Sequence, residues 1–72
     1  MSRIPLEKLI RIADSISALY QLDLITSDEK NDLAQCLKQG QEGLEALYLK
    51  TMSLPASEHD ITCSIRETII FN

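Results

Sequence analysis

Histidine occurs once in this chain and cysteine twice, and no apolar run approaches the roughly 18 residues that a membrane span needs. Two cysteines, Cys36 and Cys63, are too few for the disulfide framework of a small secreted domain. Met1 to Pro5 is polar and lacks the apolar core that export requires, so a cytoplasmic protein with reduced thiols and no membrane contact is expected. The single histidine, His59, stands four residues before Cys63, between Glu58 and Asp60. No glycine-rich turn near Cys63 offers an oxyanion site, so a thiol and its base are not expected to act as an enzyme. One histidine and two distant cysteines also lack the paired spacing of a zinc site. No catalytic residue, metal or cofactor is therefore expected.

Basic residues are scarce as well. Seven Lys and Arg stand against eleven Asp and Glu, a formal charge of -4 with a pI near 4.7, which argues against a bulk electrostatic grip on nucleic acid. The charge is uneven: Arg3, Lys8 and Arg11 oppose only Glu7 at the start, whereas Asp14, Asp23, Asp28, Glu29 and Asp32 then oppose only Lys30. Either this is a solvated surface with acids at a helix N-terminus, or it is an acidic tip that docks on a basic partner.

What the chain does have is helical periodicity. Leu33, Leu37, Gly40, Leu44, Leu47 and Thr51 recur at alternating spacings of four and three, the seam of a coiled-coil-like helix. Before it, Pro5 suits a helix start, and a first helix is predicted from there to Leu22 or Leu24. Leu6, Leu9, Ile10, Ile12, Ala13, Ile16, Leu19, Tyr20 and Leu24 fill an arc of roughly 180° on that helix, wider than the stripe of about 100° that one neighbour covers. Thr26 and Glu29 form a capping-box pattern at the start of a second helix, which should reach about Ser53 before Pro55. Gly40 and Gly43 lie on its apolar arc. They imply either a close approach of another backbone or a break near residues 40–43.

Residues 1–54 thus read as a helical hairpin, and 55–72 as a connector and tail of the same domain. In the tail, Ile61, Cys63, Ile65, Ile69 and Phe71 alternate with Thr62, Ser64, Arg66, Thr68 and Ile70, as a strand would. Ile61, Ile65 and Ile69 also share one helical face, with Ser57 as a cap, and periodicity leaves helix and strand both open.

The segment from Ser15 to Met52, about half of the chain, resembles the helical hairpin of the Rop family of small plasmid RNA-binding proteins. Laid side by side without gaps, Leu19, Leu22, Leu37, Leu44 and Leu49 fall on leucines, and Asp28, Glu29 and Asp32 match in kind. The resemblance implies an all-α antiparallel hairpin that dimerises into a four-helix bundle. Where that family places its RNA-contacting Asn, Phe, Gln and Lys, this chain has Leu6, Ile10, Asp14 and Gln21, so the resemblance implies architecture and not RNA binding.

At 72 residues and 8.1 kDa, a single core supplies roughly 3–5 kcal/mol, which favours assembly as a homodimer. The expected dimer or partner interface comprises Leu9, Ile12, Ile16, Leu19 and Tyr20 with Leu33, Leu37, Leu44, Leu47 and Tyr48. Leu49 and Met52 fall outside the main arc, and with Ile65, Ile69 and Phe71 of the tail they form the expected partner surface. The function expected is that of a non-enzymatic regulatory or adaptor protein of bacterial or phage type, binding an unidentified protein. The alternatives are a Rop-like or other nucleic-acid binder using Arg3, Lys8 and Arg11, and an acidic inhibitor, whose carboxylates Lys30, Lys38 and Lys50 would interrupt.

Overall fold

A computed structural model describes residues 5–71; Arg3, part of the basic segment noted above, lies outside them. The described residues form four α-helices and no strand: α1 Leu6–Gln21, α2 Ser27–Lys38, α3 Gln41–Ser53 and α4 Asp60–Ile70. Each helix packs on two others, α1 and α3 both lying against α2 and against α4. Lys8 Nζ donates to the Phe71 carbonyl at 2.7 Å, which places the start of α1 beside the end of α4. A single chain therefore closes an antiparallel four-helix ring.

Local chemistry accounts for most helix ends. Pro5, extended at φ -62° and ψ 150°, is the N-cap of α1. Its carbonyl accepts from Lys8 and Leu9, and its own missing N–H removes a donor the helix could not satisfy. Helix α1 stops at Gln21 through a Schellman motif. Leu24 N–H donates to the Leu19 carbonyl and Asp23 N–H to that of Tyr20, with Asp23 itself left-handed at φ 60°. Glycine takes that conformation without the strain of about 1–2 kcal/mol that an L side chain carries. Asp23→Gly should accordingly raise stability by about 0.5–1 kcal/mol, measured by urea denaturation. A lowered midpoint would mean that the Asp23 side chain itself holds the turn.

The capping box at the start of α2 is present in full: Glu29 N–H donates to Thr26 Oγ1 at 3.1 Å, and Thr26 N–H to Glu29 Oε1 at 2.7 Å. The second predicted helix is, however, two helices. Gln39 and Gly40 turn the chain between α2 and α3, and Gly40 has φ 69° and ψ -140°, a region open almost only to glycine. Gly43, three residues on, has the other role. Its α-carbon lies so close to the last turn of α2 that a Cβ there would stand 1.8 Å from the Cys36 carbonyl oxygen.

The tail is helical. It docks on α1 and α3, burying Ile65 and Thr62 and partly burying Ile61 and Ile69. Its N-cap is His59 rather than Ser57: His59 Nδ1 accepts from Ile61 N–H at 3.1 Å. Arg66 fastens the helix by donating to the Thr51 carbonyl at 3.2 Å and to the Ser57 carbonyl, so a cation satisfies an acceptor near the C-terminus of α3. Thr62 Oγ1, by contrast, is fully buried with no hydrogen-bond partner among the described residues. Replacing that hydroxyl by a methyl should stabilise, and Thr62→Val is expected to add about 1 kcal/mol in a thermal or urea melt. Destabilisation would show that the hydroxyl is satisfied in solution.

The core comprises Ile12, Ile16 and Leu19 of α1, Leu33 and Cys36 of α2, Leu44 and Leu47 of α3, Ile65 of α4, and Ile25 and Leu54 of the connections. This corrects the expected interface. Ile12, Ile16, Leu19, Leu33, Leu44 and Leu47 are buried inside one chain, because α2 and α4 together cover the broad arc of α1 that had called for a second copy. Leu9 and Leu37 are only half-buried at the edge of this core.

Candidate functional site

Once the core is filled, the informative residues are the large apolar side chains left outside it. On α1 these are Leu6, Ile10 and Tyr20, on α3 Leu49 and Met52, and at the end of α4 Ile70 and Phe71, with Leu22 in the first connection. Tyr20 is partly occupied, since Lys30 Nζ sits 4.7 Å from its ring centroid and ties the end of α1 to α2. Tyr48 is half-buried. Leu49 and Met52, at 58 % and 57 % exposure, have no such cover among the described residues.

The phase of α3 explains why. Gly43, Leu44, Leu47 and Thr51 form its buried stripe, and the backbone contact at Gly43 turns that stripe toward α2 and the core. Leu49 and Met52 then fall on the outer side. Thr51, though polar, is fully buried because its hydroxyl donates back to the Tyr48 carbonyl at 2.6 Å.

Beside Leu49 runs a groove of about 360 Å³ between α2 and α3, lined by Glu29, Asp32, Leu33, Leu49, Lys50, Ser53 and Leu54. Leu33 and Leu54 are buried and form an apolar floor, Leu49 forms one wall, and the carboxylates of Glu29 and Asp32 stand on the rim. Lys50 Nζ reaches Asp32 Oδ2 only at 4.0 Å, with both side chains largely in water, so this ion pair holds neither group firmly. Such a site can seat an apolar side chain and attract a cation. A second groove, of about 260 Å³ between α1 and α4, is lined by Lys8, Arg11, Ser64, Glu67, Thr68 and Phe71. Lys8 there is engaged by the Phe71 carbonyl.

Of the residues expected to form a partner surface, Leu49, Met52 and Phe71 are exposed. Ile65 and Ile69 are not available: Ile65 is fully buried and Ile69 packs against the core, since the tail's helical face turns inward. The positions corresponding to the Rop family's RNA contacts, Leu6, Ile10, Asp14 and Gln21, are all exposed on α1. Sequence reasoning did not associate Glu29, Asp32, Leu33 and Leu54 with Leu49. They come from two segments, α2 and the end of α3, and only the turn at Gly40 brings these into the register that joins them.

Cys36 is a buried free thiol and Cys63 a half-buried one. His59 Nδ1 is engaged in capping α4, and Arg66 donates to Cys63 Sγ at 3.4 Å, so the spacing of His59 and Cys63 is used structurally. Among the described residues no group of three or more His, Cys, Asp or Glu side chains converges as metal ligands, and no helix is long and apolar enough to cross a membrane. No family model, curated protein or solved structure matches the chain.

Proposed function

We propose that this chain is a non-enzymatic adaptor or regulatory protein of the cytoplasm that acts by protein–protein contact through the outer face of α3. The observation that carries the reading is the pair Leu49 and Met52, both more than half exposed in a bundle whose core is complete without them. Apolar side chains left beside an apolar-floored groove are characteristic of contact surfaces. The test is to compare the wild-type chain with Leu49→Lys/Met52→Lys as bait in the source cell, after confirming equal melting curves. A partner recovered by the wild type and lost with the variant supports the reading. Equal recovery overturns it.

Self-association is the second part of the proposal. Since the core closes within one chain, a homodimer would use outer surface instead of shared hairpins, and Leu6 and Ile10, at 72 % and 53 % exposure, are the residues suited to it. Light scattering during size exclusion measures it, with Leu6→Lys/Ile10→Lys expected to return a dimer to monomer. A wild-type monomer at micromolar concentration removes this part and leaves the α3 face intact. A salt-dependent gel shift with RNA or DNA would instead favour the nucleic-acid binder.

A further inference from the structure

We propose that the groove between α2 and α3 receives a lysine- or arginine-bearing amphipathic segment of a partner protein. Its apolar side chains would rest on Leu33, Leu49 and Leu54, and its cations would face Glu29 and Asp32. The inference deepens the reading of the α3 face as the working surface and rests on it.

Two observations choose this occupant. The first is the construction of the groove itself, an apolar floor with carboxylates on one rim. A purely polar or purely apolar ligand would leave one of these two elements unmatched. The second is where the bundle carries its charge. The antiparallel ring gathers the C-terminal halves of α1 and α3 with the N-terminal halves of α2 and α4. In that half and its connections, Asp14, Asp23, Asp28, Glu29, Asp32, Glu58 and Asp60 oppose only Lys30 and Lys50, an excess of five negative charges. That excess is larger than the net charge of the entire chain, -4. The groove therefore opens within the acidic half of the molecule, while the rest of the sequence carries one net positive charge. Lys30 is drawn aside over Tyr20, and Lys50 stands at 4.0 Å from Asp32, so an incoming guanidinium or ammonium can displace it. A field of this sign attracts cationic segments and repels nucleic acid.

The groove also permits a clean separation of charge from shape. Glutamine serves a capping box as glutamate does, so Glu29→Gln removes charge without removing the cap of α2, and Asp32→Asn is isosteric. The experiment titrates the isotopically labelled full chain with three synthetic peptides, followed by backbone amide shifts. One is an amphipathic Lys/Leu helix, one a Glu/Leu helix of the same pattern, and one an all-Lys peptide. The expected result is shifts at Leu33, Leu49, Ser53 and Leu54 with the Lys/Leu peptide, weakening as salt is raised. Glu29→Gln/Asp32→Asn should weaken that binding at least tenfold with the fold retained, and Leu49→Lys should do the same. Equal binding of the Glu/Leu peptide, or unchanged affinity in the carboxylate variant, overturns the cationic partner while leaving the α3 face as a docking surface. Equal binding of the all-Lys peptide, shifts confined to other faces, or no binding of the Lys/Leu peptide overturns the proposal outright. The bait comparison with Leu49→Lys/Met52→Lys then decides separately whether the α3 face binds any partner.

Discussion

Truncation after Leu54 is expected to abolish the cooperative unfolding transition altogether. The segment removed carries α4, which buries Ile65 and Thr62 and partly buries Ile61 and Ile69 against α1 and α3. Fully burying one isoleucine contributes about 1.5–3 kcal/mol, and the two half-buried ones add a comparable amount together. The loss is thus of the same size as the roughly 3–5 kcal/mol that a domain this small has in total. It also exposes the faces of α1 and α3 on which α4 lies, and removes the Arg66 donor from the Thr51 carbonyl. Circular dichroism with thermal melting checks this. A truncated chain melting cooperatively at the wild-type temperature would show that three helices suffice and that α4 is an independent arm.

Gly43→Ala is expected to destabilise by about 3 kcal/mol or more, at or beyond the usual range for overpacking. The new methyl carbon would fall 1.8 Å from the Cys36 carbonyl oxygen, 2.8 Å from the carbonyl carbon and 2.9 Å from Gln39 Cβ. Two of these neighbours are backbone, so relief requires moving the end of α2 away from α3, which opens the packing between them. Gly40→Ala is the control. Nothing lies within 4 Å of a Cβ there, and its cost is confined to the strain of φ 69°, about 1–3 kcal/mol. Urea denaturation of the two variants separates the mechanisms. A Gly43→Ala midpoint equal to that of the wild type would mean that α2 and α3 are farther apart in solution.

These two results test different levels of the same fold, and both concern features that periodicity left open. The seam from Leu33 to Thr51 keeps one phase across Gly40, so a single long helix and two shorter ones place the same residues inward. The choice between them depends on one backbone dihedral. In the tail, β-branched residues and alternation suit a strand, but a strand needs a partner edge, whereas the Ile61, Ile65 and Ile69 face finds α1 and α3 waiting. Asp23 in a left-handed turn is a further case, because sequence signals for that position depend on glycine.

What the sequence determined by itself was local: a helix starting after Pro5, the Thr26–Glu29 capping box, and a helix ending at Ser53 ahead of Pro55. Each of these signals acts among residues within one turn of each other, so it is present before any distant contact forms. Only the tertiary structure decided which apolar residues became core and which remained as surface. Ile12, Leu33 and Leu47 meet because the chain reverses at Gln39 and Gly40 and α4 then closes the ring, while Leu49 and Met52, equally apolar, are left outside by the rotation of α3 that the contact at Gly43 sets. Burial is a property of the whole assembly of helices, and the same leucine is core or contact surface according to what the other three place beside it.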